Sequence, residues 1–140
     1  MTGHSVSVAA VVTDGAGRVL VIRRRDTGEW QIPGGVLELE ESIPAGVRRE
    51  VEEETGLVVE VGRLTGVYKN LSRGVVALVF RATVVGGRAA PSDESVAVEW
   101  WPPERVATAM SATFATRVGD ALRDGDAAVR LHDGVRFLPE

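Results

Sequence analysis

A short segment in the first half of the chain is both strongly acidic and strongly helix-forming, and it constrains the fold more than any other. Ser42 is a suitable N-cap, and Pro44 is tolerated because it lies in the first turn, where its missing N–H would have no helical partner. Gly56 supplies the left-handed residue that commonly follows a helix. The sequence therefore predicts a helix that is capped at Ser42 and runs to about Thr55.

Acidic side chains fall on the side of this helix that should pack against the core. With about 100° between successive residues, Glu54 falls inside the apolar stripe, Glu50 at its edge and Glu53 farther round on the same side. Like charges so placed destabilise a helix, and their burial costs more. A hard divalent cation such as Mg²⁺, which prefers carboxylates and substrate phosphates, would offset that cost. The apolar stripe itself consists of Ile43, Val47 and Val51.

A run of solvated charges is the simpler interpretation of the same glutamates, because acidic runs usually form an exposed helix face. Arg48 and Glu52 do fall opposite the apolar stripe, where solvated charges belong, but the other three glutamates do not. Both interpretations stay open at this point, and the angular placement favours the metal site.

The rest of the chain alternates between β-rich runs and short helical segments, without a repeat or a linker. Residues 6–12 and 18–24 are predicted strands that we expect to pair as a hairpin. One α+β domain over residues 1–140 is the predicted organisation. The other predicted strands cover residues 58–68, 75–85 and 96–101, the other helices cover 104–109 and 114–122, and a terminal hairpin covers 130–138.

Composition excludes several classes of function. The 140-residue chain has no cysteine, so disulfides, thiolate metal sites and cysteine nucleophiles are excluded. A formal net charge of -4 argues against a nucleic-acid partner, since such proteins usually carry a basic face. No apolar run approaches the ~18 residues of a membrane span, and no secretory signal is visible at the start. We therefore expect a cytoplasmic protein.

Residues 35–57 read GVLELEESIPAGVRREVEEETGL, and this segment resembles the Nudix box. That motif is Gly, five residues, Glu, seven residues, Arg-Glu, an aliphatic residue, any residue, Glu-Glu, any residue, Gly and an aliphatic residue. Residues 30–35 and 99–104 resemble flanking segments of the same family. Departures such as Gly46, where Ala is usual, fall at undefined positions. The nine defined positions are filled by Gly35, Glu41, Arg49, Glu50, Val51, Glu53, Glu54, Gly56 and Leu57.

The resemblance implies a Nudix hydrolase, a MutT-like nucleotide pyrophosphohydrolase that needs Mg²⁺ or Mn²⁺. It implies an α/β/α sandwich around a mixed β-sheet, with a loop–helix–loop motif that carries the metal. Glu50 and Glu54 would be direct metal ligands, Gly35 would offer its carbonyl, and Glu53 would be a ligand or the base that orients water. Homodimers are common in the family.

The remaining box residues would support the reaction. Arg49 would orient Glu53, and Glu41 would support the site or bind a second ion. Diphosphate hydrolysis gathers negative charge around phosphorus, which a metal neutralises while a carboxylate takes a proton from the attacking water. The expected substrate is a nucleoside triphosphate or a nucleoside diphosphate linked to another group. A Nudix-like nucleotide-binding regulatory module with little turnover is the alternative, although such modules usually lose carboxylates from the box.

Candidate substrate contacts outside the box are less specific. Arg23 and Arg25 end a strand and suit phosphate binding, but a solvated strand end explains them equally well. Trp30 is a candidate for stacking on a nucleobase or for packing under the Pro-Gly-Gly loop. Glu94 is a candidate metal ligand or general base, or else an ordinary surface residue. Trp100 and Trp101 alternate across a strand, so one should be buried. A solvated helix face is predicted for Asp120, Arg123, Asp124 and Asp126, and His4 and His132 are assigned no role.

Overall fold

The computed structural model describes residues 3–140, which form nine strands and three helices. No helix in this part of the chain is long and apolar enough to span a membrane. The strands are β1 (Ser5–Val12), β2 (Val19–Arg24), β3 (Trp30–Gln31), β4 (Gly34–Val36), β5 (Leu57–Asn70), β6 (Val75–Gly87), β7 (Ser95–Trp101), β8 (Ala128–His132) and β9 (Phe137–Leu138), and the helices are α1 (Ile43–Thr55), α2 (Pro103–Ala109) and α3 (Ala112–Leu122).

The strands form two sheets. Six strands lie in the order β4-β1-β6-β5-β8-β9, with β1 parallel to β6 and β5 parallel to β8, so this sheet is mixed. A smaller antiparallel sheet has the order β3-β2-β7. The predicted hairpin between β1 and β2 is therefore wrong. The two strands enter different sheets, and a single bridge between Thr13 and Val19 is what joins them at the turn.

Strand β1 explains the layered architecture, because both of its faces are buried. Val8, Ala10 and Val12 pack in one apolar cluster with α1, whereas Ala9 and Val11 pack in another with α2 and α3. Helices thus cover both sides of the strands, which confirms the expected α/β/α arrangement with a mixed sheet.

Helix α1 follows the sequence prediction at both ends and along most of its length. The Ser42 hydroxyl accepts a hydrogen bond from the Ala45 N–H, and Gly56 ends the helix in the left-handed conformation. Val47 and Val51 are fully buried. Ile43 is 37% exposed, so its predicted place in the core is wrong, because the helix begins there at the edge of the layer.

Asp120 corrects another prediction, because it is buried in α3 instead of lying on a solvated face. Its carboxylate accepts hydrogen bonds from the Tyr68 hydroxyl at 2.7 Å and from two nitrogens of Arg130 at 2.7 and 2.8 Å. Burial alone would raise the pKa of Asp120, but the hydrogen bonds from Arg130 and Tyr68 outweigh it and lower that pKa. The carboxylate therefore ties α3 to β5 and β8.

Substitution Asp120→Asn should lower the free energy of unfolding at neutral pH by about 1–3 kcal/mol, since hydrogen bonds to a buried charge are lost. A lowered native pKa stabilises the fold above about pH 4, and this contribution is lost as the pH falls through the native pKa. The difference in the free energy of unfolding between wild type and Asp120→Asn should therefore become smaller at acidic pH. Urea unfolding at pH 7 and pH 3 measures it, with exposed Asp124→Asn as the control. A gap that is independent of pH would contradict the role given to the charge.

Candidate active site

An open cleft of about 660 Å³ lies beside α1. Strand β4, the end of β2 and the loop before β7 form its walls. Its polar and charged lining consists of Arg24, Arg25, Asp26, Gly34, Gly35, Glu50, Glu54, Asp93 and Glu94. Two of the predicted metal ligands, both on α1, therefore face one cleft together with the predicted backbone ligand.

Glu54 is the most deeply buried carboxylate of the cleft, at 5% exposure. One of its oxygens accepts a hydrogen bond from the Gly34 N–H at 2.8 Å, and the Ser95 hydroxyl donates to its backbone carbonyl at 2.6 Å. Burial raises the pKa of Glu54 to about 8, against the opposing hydrogen bond from Gly34. An ionised Glu54 is thus costly until a further positive charge reaches the cleft.

The two glycines at the start of β4 are required by close packing. A Cβ on Gly34 would lie 2.5 Å from the Val8 carbonyl oxygen, because β4 pairs with β1 at this point. A Cβ on Gly35 would lie 2.5 Å from an oxygen of Glu50. The absence of side chains at both positions lets the backbone of β4 approach the carboxylates of α1.

Arg49 connects the acidic residues of the box. Its guanidinium donates two hydrogen bonds to Glu41 at 2.6 and 2.9 Å, one to Glu50 at 2.7 Å and one to Glu53 at 3.3 Å. A further bond at 3.1 Å reaches the Val36 carbonyl. The hydrogen bonds from Arg49 hold the pKa of Glu41 at about 2. Sequence reasoning expected Arg49 to orient Glu53, and the structure adds Glu41 and Glu50 to its partners.

Glu50 and Glu53 differ in burial although both contact Arg49. Glu50 is buried, and burial raises its pKa, whereas the Arg49 hydrogen bond opposes this. The side chain of Glu53 is 57% exposed and lines a neighbouring cleft with Glu50 and Glu94. Glu53 therefore lies at the solvent side of the site, where a water molecule can reach it.

The residues of the cleft fit a divalent metal ion by their chemistry. Within residues 3–140, no three acidic or histidine side chains are close enough together to form a metal-binding group as they stand. Glu50 and Glu53 accept hydrogen bonds from Arg49, and Glu54 accepts one from the Gly34 N–H. The donors around the cleft are carboxylate and backbone oxygens, which hard cations such as Mg²⁺ and Mn²⁺ prefer. Arg24 and Arg25 also line the cleft, but within residues 3–140 neither forms an ion pair with Glu54, whose carboxylate keeps the capacity to bind a cation.

The predicted substrate contacts divide into two groups. Arg25 and Glu94 line the cleft, and the Arg25 side chain donates to the Asp93 carbonyl at 2.9 Å. Arg23 and Trp30 do not line it. Trp30 packs against Trp101 with 4.7 Å between ring centroids, and the Arg23 guanidinium lies 5.9 Å from the Trp30 ring.

Arg24 also ends β2 and lines the cleft, although its two neighbours were the predicted substrate contacts. Its guanidinium donates to Asp26 at 2.6 and 2.8 Å. All four residues before Arg23 in β2 are buried, so this strand gives no alternation that would tell which arginine faces the cleft. Arg24 and Ile22 lie on the same side of β2, and both line the cleft. Only the position of β2 in its sheet shows which side of the strand this is.

Comparison with known proteins agrees with this geometry. The chain matches the NUDIX domain family over residues 3–122. A MutT-like protein of Streptomyces ambofaciens is 54% identical over 136 residues, which cover 97% of this chain and 88% of that protein. An ADP-ribose pyrophosphatase of Methanocaldococcus jannaschii is 34% identical over 103 residues, or 66% of this chain and 61% of that protein.

A solved structure shows the same fold. A NUDIX hydrolase from Nitrosomonas europaea superposes with a TM-score of 0.80 at 20% identity, covering 94% of this chain and 81% of that one. Nudix hydrolases generally use divalent metal ions and act on small nucleotide substrates. The family match over most of the chain and the extended similarity to a MutT-like protein show that this chain belongs to the Nudix family of pyrophosphohydrolases.

Proposed function

We propose that the protein hydrolyses a diphosphate linkage in a nucleotide, with Mg²⁺ or Mn²⁺ held at the cleft. The observation that carries this proposal is the pair of buried carboxylates, Glu50 and Glu54, set against the side-chain-free backbone of β4 at Gly34 and Gly35. Arg49 pairs with Glu50 but not with Glu54, so the pair suits a further cation that also binds phosphate oxygens.

Glu50, Glu54 and the Gly35 carbonyl are the residues that would hold the metal ion. When bound, the ion supplies charge neutralisation at the diphosphate, orientation of the substrate and a lowered pKa of a bound water. Glu94 lies across the same cleft, where its carboxylate suits a further ligand or a water contact.

Glu53 is the candidate general base, because it is exposed to water and is hydrogen-bonded to Arg49. A base must lie within hydrogen-bond reach of the water whose proton it takes, and an exposed carboxylate at the rim of the cleft meets this need. Arg49 positions Glu53, while Glu41 anchors Arg49 through two hydrogen bonds. The reaction would be a direct attack of water on phosphorus, since the box has no Cys or His and its two hydroxyl groups are engaged in α1. Ser42 caps that helix, and Thr55 donates to the Val51 carbonyl.

A nucleoside diphosphate joined to another group is the favoured substrate class. Similarity to a protein named ADP-ribose pyrophosphatase supports this class, and Arg24 and Arg25 at the cleft suit a diphosphate. Nucleoside triphosphates form the second class, which would yield a monophosphate and pyrophosphate.

Hydrolysis in ¹⁸O-labelled water tests the proposal directly. A panel of both substrate classes is incubated with Mg²⁺, Mn²⁺ or a chelator, and the products are analysed by mass spectrometry. We expect turnover that needs the metal, with the label in one phosphate-bearing product and none on a sugar carbon. Full turnover in chelator, or release of terminal orthophosphate alone from a triphosphate, would contradict the assignment. Tight nucleotide binding without turnover would favour a regulatory module.

A further inference from the structure

A second cavity adjoins the cleft, and Arg24, Gly34 and Gly35 line both. It consists of two neighbouring spaces of about 240 and 480 Å³, which share lining residues and lie between α3, the end of β5 and the segment from β3 to β4. We name it the distal cavity. The side chains that line both of its spaces are Arg24, Gln31, Asn70, Arg73, Phe114 and Arg117.

Arg117 is a cation without an anionic partner in the wall of this cavity. No carboxylate of residues 3–140 lies within salt-bridge distance of it, and its Nε atom is buried without a hydrogen-bond acceptor. Burial lowers the pKa of Arg117 to about 10. Arg130 shows the usual arrangement, since Asp120 holds it with two hydrogen bonds. Arg117 is half-buried and contacts two aromatic rings, but a charge with a buried, unpartnered Nε remains costly without an anion, which favours an anionic ligand here.

His132 is a second unsatisfied donor in the same wall. Its Nδ1 accepts a hydrogen bond from the Gly134 N–H at 2.9 Å, which places the proton of the neutral ring on Nε2. That Nε2 is buried without a partner, and the whole side chain is 3% exposed. Burial and the nearby charge of Arg117 lower the pKa of His132, so the ring stays neutral.

An anionic group suits this cavity better than a nucleobase does. The Arg117 guanidinium lies 5.0 Å from the Phe114 ring centroid and 5.1 Å from that of Tyr68, so it covers the ring faces turned toward it. The Tyr68 ring is also fully buried and is not available for stacking on a nucleobase. Arg73 lines both spaces and has no ion pair within residues 3–140.

The acidic residues around the cavity cancel these charges only in part. Asp26 and Glu29 line the larger space. Asp26 is already neutralised by Arg24, which leaves the single carboxylate of Glu29 against the two guanidinium groups. Two unpaired guanidinium groups, Arg73 and Arg117, match the charge of about −1.5 to −2 on a phosphate monoester.

We propose that the distal cavity binds a phosphate monoester on the part of the substrate remote from the scissile diphosphate, with Arg117 and Arg73 neutralising its charge. The substrate class is then a nucleoside diphosphate derivative that carries an additional phosphate. This inference rests on the proposed function for the position of the diphosphate, whereas anion binding in the cavity is testable without turnover.

Calorimetric titration of the full chain with AMP and with adenosine 2′,5′- and 3′,5′-bisphosphate tests the cavity itself. None of the three contains a diphosphate, so none is cleaved by the proposed reaction. We expect at least one bisphosphate to bind about 10-fold tighter than AMP, or about 1.4 kcal/mol. Arg117→Met and Arg73→Met should each reduce that preference toward one. The exposed turn position of Arg73 makes its variant safe for folding even if Arg117→Met is not.

Arg105→Met is the matched control, because its guanidinium lies over the Trp101 ring and does not line the cavity. It should keep the full preference for the bisphosphate. Equal affinity of AMP and both bisphosphates for the wild type, or a preference that survives both arginine substitutions, would overturn the inference.

Hydrolysis of ADP-ribose and its 2′-phosphorylated form separates this inference from the proposed function. A higher kcat/KM for the phosphorylated form, lost in Arg73→Met, supports both. Hydrolysis of both forms at equal rates, with equal binding of the probes, overturns the distal phosphate site alone. Absence of hydrolysis across the whole panel, with the bisphosphate preference intact, overturns the proposed function alone.

Discussion

Replacement of Glu54 by Gln should lower kcat by at least about 100-fold at saturating Mg²⁺, the scale expected when a central electrostatic group of an active site is removed. Glutamine keeps the size of the side chain and can still accept the hydrogen bond from the Gly34 N–H, so the geometry of β4 should survive. What is lost is the negative charge that we assign to metal binding. Steady-state kinetics across a range of Mg²⁺ concentrations measures the loss.

Glu52→Gln is the matched control, since Glu52 lies two residues away on the same helix and is exposed. It should stay close to wild type in kcat. In metal-free buffer Glu54→Gln should also be more stable than wild type, because it removes the cost of burying a carboxyl group whose pKa is raised by that burial. Equal losses of kcat in Glu54→Gln and Glu52→Gln would contradict the role of Glu54 in metal binding. A melting temperature of Glu54→Gln below that of wild type would contradict the destabilising effect of burying this carboxyl group.

The centre of the site was predictable from the sequence because it lies on one helix with a regular period. Placing α1 on a wheel puts Glu54 in the apolar stripe and Glu50 at its edge, and both are buried in the structure. The same wheel places Glu52 on the solvated side, where the structure has it. The wheel did not show that Arg49 on the helix donates two hydrogen bonds to Glu41, which lies in the loop before the helix.

Contacts between distant parts of the chain were not predictable in the same way. Strands β1 and β2 are each buried over several consecutive residues, so they lack the alternation that identifies the pairing of half-exposed strands. Asp120 looked solvated because its partner Tyr68 lies 52 residues away in the chain. Gly46 stands where Ala is usual in the motif, and the sequence did not show that a Cβ there would lie 2.6 Å from a methyl of Leu37.

Arg49→Lys should leave the fold intact and lower kcat by about 100-fold, because small misplacements of reacting groups cost rate on this scale. Lysine keeps the charge but is a point donor, so it cannot hold Glu41 through two parallel bonds while also reaching Glu50 and Glu53. The neighbouring Arg48→Lys is the control, because Arg48 is exposed on the opposite side of α1 and should tolerate the change.

The kinetic constants separate positioning of the base from mere support of the helix. If Arg49 positions Glu53, kcat should fall at saturating Mg²⁺ with a smaller change in KM, because the substrate binds the cleft but its water is poorly aligned. Glu53→Gln should lose about as much, and the double variant Arg49→Lys with Glu53→Gln should lose little more, since the two residues act as a unit. Multiplied losses in the double variant would show that Arg49 does not act through Glu53. A normal kcat in Arg49→Lys, with a lowered melting temperature alone, would reduce Arg49 to a structural residue.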